Sequence, residues 1–347
     1  MVPRAAKMAP RSDTTMTQSI TDQLRIAIGV TGDPSDEQLK LASQMGCSGV
    51  IVPSPSFGQG LLWPYEDLLQ LRQRVESFGL RLEAIQNTRL DLFDQIRLAG
   101  PDRDKQLEDF TTSIRNLGRA GIPIFSYNWR PNRLYRTGHV ETRGGARVTA
   151  FDVAQVKDLP LSHGREYAAD ELWDTFTHFV KKVMPVAEEA GVKLAHHPDD
   201  PPLPNGPHIG GMPRIFSSFE GFKRGMEIAD SPNWGLLFCV GCWSEMGGNE
   251  YVLNGLRFFG ERNKLFYIHF RDVQGIGDVF NECFIGDGQV DLTAAMRLLK
   301  EVNFTGCLID DHVPHMEGDG DRGWGTRGRL FATGYLQGML RAVNDLT

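Results

Sequence analysis

The sequence predicts an α/β protein of the (β/α)8 TIM-barrel class, folded as a single domain, and three observations lead to this prediction. Eight short apolar runs recur along the chain, amphipathic segments separate them, and several of these segments end at a glycine just before the next run. Eight strands that alternate with helices are the count of a closed parallel barrel. A doubly wound open sheet is the alternative, but no glycine-rich phosphate-binding turn follows the first run.

The apolar runs are predicted to be the barrel strands, in the order in which they occur. They cover 24–30, 48–53, 80–86, 122–129, 192–198, 234–241, 265–273 and 306–312. Helices are predicted over 35–45, 63–78, 103–120, 169–190, 219–228 and 291–302, and another begins near Arg329. The one long connection, at about 130–170, is expected to be an insertion over one barrel face. Residues 23–347 are therefore predicted to form the barrel, and residues 1–22 a flexible tail.

The composition excludes several classes of protein. With 347 residues, of which 41% are hydrophobic and 23% charged, the chain can bury a large core. A formal net charge of −7 argues against a nucleic-acid partner. The absence of a long apolar run and of a secretory signal argues against a membrane partner and predicts a cytoplasmic protein. Five irregularly spaced cysteines do not suggest a disulfide framework, so at least one is free to act as a ligand.

Residue types that bind metals follow the last four predicted strands. In a TIM barrel the chemistry lies at the carboxyl ends of the strands. Two imidazoles, a thiolate and a carboxylate could therefore converge on one ion. Either of two adjacent histidines could supply the first imidazole. The residues concerned are His196-His197, Cys239, His269 and Asp310-Asp311-His312.

Side-chain alternation predicts which of these residues point into the barrel. In "LFYIHFRDV", Tyr267, His269 and Arg271 share one face. The other face is apolar, with Phe266, Ile268 and Phe270, and is expected to pack on the helices. The same alternation groups Cys239 with Leu237 and Asp311 with Ile309.

These motifs resemble the mannonate dehydratase family, metal-dependent barrels related to the xylose-isomerase-like group. The resemblance rests on "HPDDPP", "MPRI", "FCVGCWSEMG", "HFRDV", "FNE", "GDGQVDL" and a strand that ends in Asp-His. It extends upstream through "LAGPDRDKQLEDFTTSIRNLGRAGIPIFSYNWRP" and "ARVTAFD", and covers nearly all of 24–343. The resemblance implies the metal ligands His197, Cys239, His269 and Asp311, and so selects His197 over His196.

The resemblance also implies an activity. The family removes water from a six-carbon sugar acid, converting D-mannonate to 2-dehydro-3-deoxy-D-gluconate, and His312 is expected to carry a proton transfer. Mn²⁺ is the implied ion, although a thiolate ligand also suits Fe²⁺, Co²⁺ or Zn²⁺. We expect a sugar acid as the small-molecule partner and a homo-oligomer, a dimer or a tetramer. The alternatives are an isomerase, epimerase or lyase acting on a related sugar acid or polyol, and a non-catalytic sugar-acid-binding homologue.

Further residues are weaker candidates for the site. Arg271 could clamp a carboxylate with two hydrogen bonds. Either Asp199 or Asp200 could fix the tautomer of the ligand histidine, and Glu282 follows the asparagine that replaces the histidine of the family's "FHE" motif. Glu83, Arg271 and Arg147 are all expected to line the same mouth. Substrate contacts are predicted for Asn128, Arg130, Arg147 and Trp324.

The chain departs from the family after the eighth predicted strand. Val313-Pro314 replaces Gly-Arg, and "GWGTRGRL" replaces "GYGLYDRA", so Trp324 stands where a proton-donating tyrosine is expected. An indole N–H can donate a hydrogen bond, but it does not ionise. The second proton transfer would then fall to His315, Tyr127 or a metal-bound water. With five glycines, 313–328 is predicted to be a lid that places Trp324 over the metal.

Overall fold

Parallel strands form a closed barrel in the computed structural model, which describes residues 23–55, 57, 60–86, 89, 92–204, 206–320 and 325–346. The predicted TIM barrel is confirmed. The tail at 1–22 and Trp324 lie outside the described residues. The strands are β1 (Arg25–Ile26), β2 (Ile28–Gly29), β3 (Gly49–Pro53), β4 (Arg81–Gln86), β5 (Ile124–Tyr127), β6 (Gly138–Glu141), β7 (Arg147–Asp152), β8 (Lys193–His196), β9 (Trp234–Cys239), β10 (Leu265–His269), β11 (Val273–Ile276), β12 (Val279–Glu282) and β13 (Cys307–Ile309).

The first strand closes the barrel in two short pieces. β1 pairs with β13 and β2 pairs with β3, and only Ala27 separates the two short pieces. The order around the ring is β1/β2, β13, β10, β9, β8, β5, β4 and β3, and every pairing in it is parallel. Counting β1 and β2 as one strand, the ring has eight positions. β5 therefore stands opposite β13.

Helices cover the outside of the barrel. They are α1 (Asp36–Gln44), α2 (Tyr65–Glu76), α3 (Asp94–Arg97), α4 (Arg103–Arg119), α5 (Ala169–Ala190), α6 (Phe219–Ala229), α7 (Val240–Gly260), α8 (Leu292–Glu301) and α9 (Thr326–Asp345). Apolar side chains on their inner faces pack on the strands in one large core, and a smaller cluster fills the barrel interior. In the described part of the chain, no helix has the length and apolar character needed to cross a bilayer.

Helix α7 was not predicted, and the sixth predicted strand was drawn too long. The strand ends at Cys239, and Val240 already begins the helix. Gly247 and Gly248 have non-helical backbone angles within α7, which breaks the apolar periodicity by which helices are recognised.

The face predicted for Phe266 was also wrong. The register between β9 and β10 shifts between Leu265 and Tyr267. A shift of this kind interrupts the two-residue alternation on which the prediction depended. Phe266 therefore lies in the interior cluster, whereas Ile268 and Phe270 pack in the outer core as predicted.

A small antiparallel sheet stands beside the barrel mouth. Its strand order is β11-β12-β7-β6, and it joins the connection after β5 to the hairpin after β10. Arg147 of β7 also pairs through its backbone with His315, in the segment after β13. The sheet thereby brings residues far apart in sequence to one side of the mouth.

Candidate metal centre and active site

A cavity of about 470 Å³ opens at the carboxyl ends of the barrel strands. Residues at or just beyond the ends of these strands form its floor and wall, as expected for the catalytic face of a TIM barrel. Its polar lining comprises Gln86, Ser126, Tyr127, Asn128, Arg130, Arg133, His197, Asp200, His269, Asp310, Asp311, His312 and Arg329.

Three of the predicted metal ligands converge at this cavity, and two of them, His269 and Asp311, line it. Cys239 and His269 are the last residues of β9 and β10, and they are paired in register. Asp311 lies two residues beyond β13. One ligand atom from each lies within 4.8 Å of the others. His269 Nδ1 is 3.3 Å from Asp311 Oδ2, and Cys239 Sγ is 3.9 Å from the same oxygen.

His197 joins this group from the neighbouring strand. Its backbone N–H donates to the Tyr127 carbonyl, and its ring centroid is 5.3 Å from that of His269. One of its ring nitrogens lies within 4.8 Å of Cys239 Sγ. His196 instead packs in the outer aromatic core, with its ring centroid 3.8 Å from that of Phe216. Of the two adjacent histidines, His197 is the one that faces the cavity.

The donor atoms have the character of a metal site. Among the described residues, His269 Nε2 is buried without a hydrogen-bond partner, which is costly for a polar side chain unless something else binds it, and Nδ1 faces the Asp311 oxygen. Burial alone raises the pKa of the Cys239 thiol, but hydrogen bonding from Cys242 and the charge of Arg271 bring it well below its ordinary value. Imidazole, thiolate and carboxylate together are the donor set of a divalent metal ion. The residues therefore fit such an ion.

Arg271 connects the predicted metal ligand Asp311 to the start of α7. It is buried, and its Nε donates to Asp311 Oδ2 at 3.1 Å, while Nη1 donates to Glu245 at 2.9 Å. Nη2 donates to the sulfur of Cys242 at 3.5 Å. The guanidinium passes over Gly241, where an added Cβ would lie only 2.2 Å from Nη1. Glycine at this position therefore leaves room for the arginine.

Replacing Arg271 with methionine is expected to destabilise the fold. Glu245 and Asp311 would lose their shared cation, and breaking a buried ion pair from one side costs about 3–5 kcal/mol. Chemical unfolding monitored by circular dichroism measures this loss. Arg115→Met, at an exposed position of α4, is the matched control and should change stability by less than about 0.5 kcal/mol. A similarly small change in Arg271→Met would contradict the connecting role.

His312 and Glu282 form a buried pair beside the donor group. Glu282, the last residue of β12, accepts a hydrogen bond from His312 Nδ1. Burial alone would raise the pKa of Glu282, but His312 and Arg136 outweigh it and lower that pKa to about 2. His312 Nε2 is 3.7 Å from Asp311 Oδ1. A carboxylate in this position orients the imidazole and stabilises its charged form.

Arg136 links this pair to the loop after β8. Its guanidinium donates to Glu282 at 2.7 Å and to Asp200 Oδ2 at 3.0 Å. The predicted role of Asp199 or Asp200 in fixing the tautomer of the ligand histidine is therefore wrong. His197 Nδ1 lies 2.7 Å from the Pro198 carbonyl oxygen, which fixes the tautomer instead, and Asp199 accepts from the Phe216 backbone N–H.

The other predicted site residues divide into two groups. Asn128 and Arg130 line the cavity, and Asn128 also accepts hydrogen bonds from Arg97. Arg147 and His315 are not among the lining residues, and His315 Nδ1 faces the Gly320 carbonyl oxygen at 3.2 Å. The structure does not bring these two side chains to the cavity.

The position predicted for Glu83 was wrong. Its carboxylate pairs with Arg25 Nη2 at 2.6 Å, in a pocket at the opposite, amino-terminal end of the barrel. Glu83 is the third residue of a six-residue strand whose last residue, Gln86, reaches the mouth. Alternation predicts which face of a strand a side chain lies on, but it does not predict how close that side chain lies to the mouth of the barrel.

Several residues of the site were not identified from the sequence. Glu245 and Cys242 lie in "FCVGCWSEMG", where a helix starting after Cys239 would have placed both near its first turns. Arg136 lies in the long connection after β5, where nothing in the local pattern distinguishes it. Arg329 pairs at 2.9 Å on the cavity wall with Asp310, which the sequence had singled out, and only the approach of α9 to β13 brings them together.

Fold and site together define a TIM-barrel enzyme with the donor set of a divalent-metal centre and a carboxylate–histidine pair at its mouth. The sequence model of the D-mannonate dehydratase (UxuA) family matches residues 25–163 and 160–347. The chain belongs to this family, and it is a sugar-acid dehydratase, a hydro-lyase.

Individual relatives agree with this assignment. A mannonate dehydratase of Streptococcus pneumoniae is 30% identical over 86% of this chain and 87% of its own length. The crystal structure of mannonate dehydratase from Streptococcus suis serotype 2 is 28% identical, covers 94% of this chain and 95% of its own, and has a TM-score of 0.85. A xylose isomerase-like TIM barrel protein of Mycobacterium smegmatis, at 13% identity and a TM-score of 0.61, shares the fold.

Proposed function

We propose that the substrate of this dehydratase is D-mannonate and that the products are 2-dehydro-3-deoxy-D-gluconate and water. The observation that carries the proposal is the buried Glu282–His312 pair, which stands next to the metal donor group in one cavity. Dehydration next to a carboxylate needs both a centre of positive charge and a proton carrier. The cavity offers residues for both.

His197, Cys239, His269 and Asp311 would hold the metal ion. When bound, a divalent ion supplies Lewis-acid stabilisation of the negative charge that develops on the substrate carboxylate. We propose Mn²⁺, which family membership favours, whereas the Cys239 thiolate also suits Fe²⁺, Co²⁺ or Zn²⁺. Elemental analysis of the purified protein, followed by reconstitution with each ion, distinguishes them.

His312 would carry one of the two proton transfers of the reaction. In the overall step the C2–H bond and the C3–O bond break, the C2 proton and the C3 hydroxyl leave as water, and the enol product becomes the ketone. Glu282 accepts from Nδ1 and so turns Nε2 toward the Asp311 side of the cavity. Glu282 would thus act as a positioning residue for the proton carrier.

Arg271 would position Asp311 rather than clamp the substrate. Its donors are directed to Asp311, Glu245 and Cys242, and the side chain is almost fully buried. The substrate contacts would fall to Asn128 and Arg130, which line the cavity.

Incubation of the metal-loaded protein with D-mannonate tests the proposal. We expect a product lighter by one water, detected by mass spectrometry, that forms only while the metal is retained. The enzyme pretreated with a chelator is the control. An unchanged substrate after prolonged incubation would contradict mannonate as the substrate.

A second candidate is an isomerase or epimerase acting on a related sugar acid or polyol. The observation in its favour is Tyr127, whose hydroxyl accepts a hydrogen bond from the Trp234 indole at 3.0 Å within the outer core. Of the lining residues described, Tyr127 carries the one phenol, and its hydroxyl lies against Trp234 in the outer core, where it is not placed to exchange a proton with a substrate. A new product of unchanged mass would favour this candidate.

We also propose a homo-oligomer, a dimer or a tetramer. Light scattering coupled to size-exclusion chromatography measures the molar mass of the particle. A monomeric mass would contradict the proposal.

A further inference from the structure

Arg130 brings a buried positive charge to the cavity without a carboxylate of its own. Only 8% of the residue is exposed, yet it lines the cavity. Nη1 donates to the Asn132 carbonyl oxygen at 2.8 Å, and Nε has no hydrogen-bond partner in the part of the chain that the structure describes. Among the described residues, no acidic side chain forms an ion pair with it. Asp200 and Asp199 act on Arg130 through their charges alone, without an ion pair, so its guanidinium is available to a carboxylate that enters the cavity.

The nearby carboxylates are bonded to groups other than Arg130, except that Asp199 Oδ1 is buried without a hydrogen-bond partner among the described residues. Both oxygens of Asp200 accept hydrogen bonds from Arg136, and Asp199 Oδ2 accepts from the backbone N–H of Phe216. On the opposite wall, Asp310 is paired with Arg329 at 2.9 Å. The acidic residues near Arg130 are therefore not its hydrogen-bond acceptors.

A second cation stands beside Arg130 on the same wall. Arg133 also lines the cavity, is exposed, and holds its guanidinium 5.0 Å from the centre of the Tyr135 ring. Within the described part of the chain, it likewise forms no ion pair. Two arginines on one wall, both without an ion pair among the described residues, have the charge and the hydrogen-bond donors that an anionic group needs.

The two arginines follow a strand that is opposite, in the order of the ring, to the strand before the reacting groups. Arg130 and Arg133 follow β5, whereas Asp311 and His312 follow β13, and these strands are opposite in the ring. A substrate whose reacting carboxylate lies at the metal donor group would therefore extend its far end toward the two arginines. In a monoacid such as D-mannonate, that end carries a neutral hydroxyl.

We propose that Arg130, assisted by Arg133, binds a second acidic group at the far end of the substrate, so that the site accepts D-mannonate but prefers a six-carbon sugar diacid. The inference rests on the proposed dehydration of sugar acids and specifies the substrate class at the same site. The reaction itself is unchanged, because C2 and C3 lose the same proton and hydroxyl. The arginines act on the opposite end of the molecule.

Comparison of D-mannonate with the diacid that carries a carboxylate at C6 tests the proposal. We expect kcat/KM to be about 10- to 100-fold higher for the diacid, which is the range of a hydrogen bond to a charged group. Arg130→Met keeps most of the side-chain volume and should reduce this ratio about 10- to 100-fold. Arg133→Met, at an exposed position that should not disturb folding, should reduce it less. Arg115→Met is the control and should leave the ratio unchanged.

Binding provides a readout that is independent of turnover. In a His312→Asn background, calorimetric titration with each acid measures affinity without reaction, and the diacid should bind more tightly until Arg130 is replaced. Equal affinities for the two acids would overturn the proposal, as would an equal loss for both acids in Arg130→Met. If 6-phosphorylated mannonate is turned over faster than the diacid, the assignment of the second acidic group as a carboxylate is wrong. If both acids bind as expected but neither loses water, the proposed dehydration fails and the subsite stands.

Discussion

His312→Asn is expected to abolish turnover, with kcat lowered by about 10²- to 10⁴-fold, the usual contribution of a general acid or base. Asparagine preserves a polar group of similar size but cannot carry a proton at neutral pH. The buried partner Glu282 would keep a hydrogen-bond donor, and Arg136 would still neutralise its charge. The loss should therefore appear in kcat rather than in stability. Steady-state kinetics on D-mannonate, together with the metal content of the variant, measures it.

Two controls separate proton transfer from structural damage. Glu282→Gln should keep His312 in place but orient it less firmly, with a smaller loss of about 10- to 100-fold. His315→Asn, whose ring faces the Gly320 carbonyl outside the cavity lining, should retain nearly full activity. Full activity in His312→Asn would refute its role, whereas an equal loss in His315→Asn would show that the segment after β13 matters as a whole.

Cys239→Ala is expected to have the second large effect, a loss of metal affinity of more than about 100-fold, since even residues that only support metal ligands contribute 10- to 100-fold. Cys239 lies at the end of β9, where its sulfur reaches the donor atoms of both His197 and Asp311. Alanine preserves the strand but removes the donor. Competition with a chromophoric chelator measures the affinity directly, without reference to catalysis.

Cys47→Ala is the matched control for this variant. Cys47 is also a buried free thiol, but it packs in the outer core. It should retain wild-type metal affinity. Wild-type affinity in Cys239→Ala would remove the thiolate from the proposed donor set.

Local pattern was enough to predict most of the barrel. Apolar runs of strand length, followed by helices that end in glycine, reflect backbone geometry that acts over a few residues. Helix α7 was missed because Gly247 and Gly248 interrupt its periodicity. Phe266 was placed on the wrong face because the shift in register between β9 and β10 depends on the neighbouring strand.

The sequence by itself determined the fold class and which residues end the strands at the mouth, including Cys239 and His269, because strand period and strand order are properties of the chain. Only the tertiary structure decided which charges meet. Arg136 reaches Asp200 and Glu282 across 64 and 146 residues of sequence, and Glu282 meets His312 only because the small sheet folds against the barrel mouth. Ion pairs depend on distances of a few ångströms between separate elements, and no local sequence pattern specifies such distances.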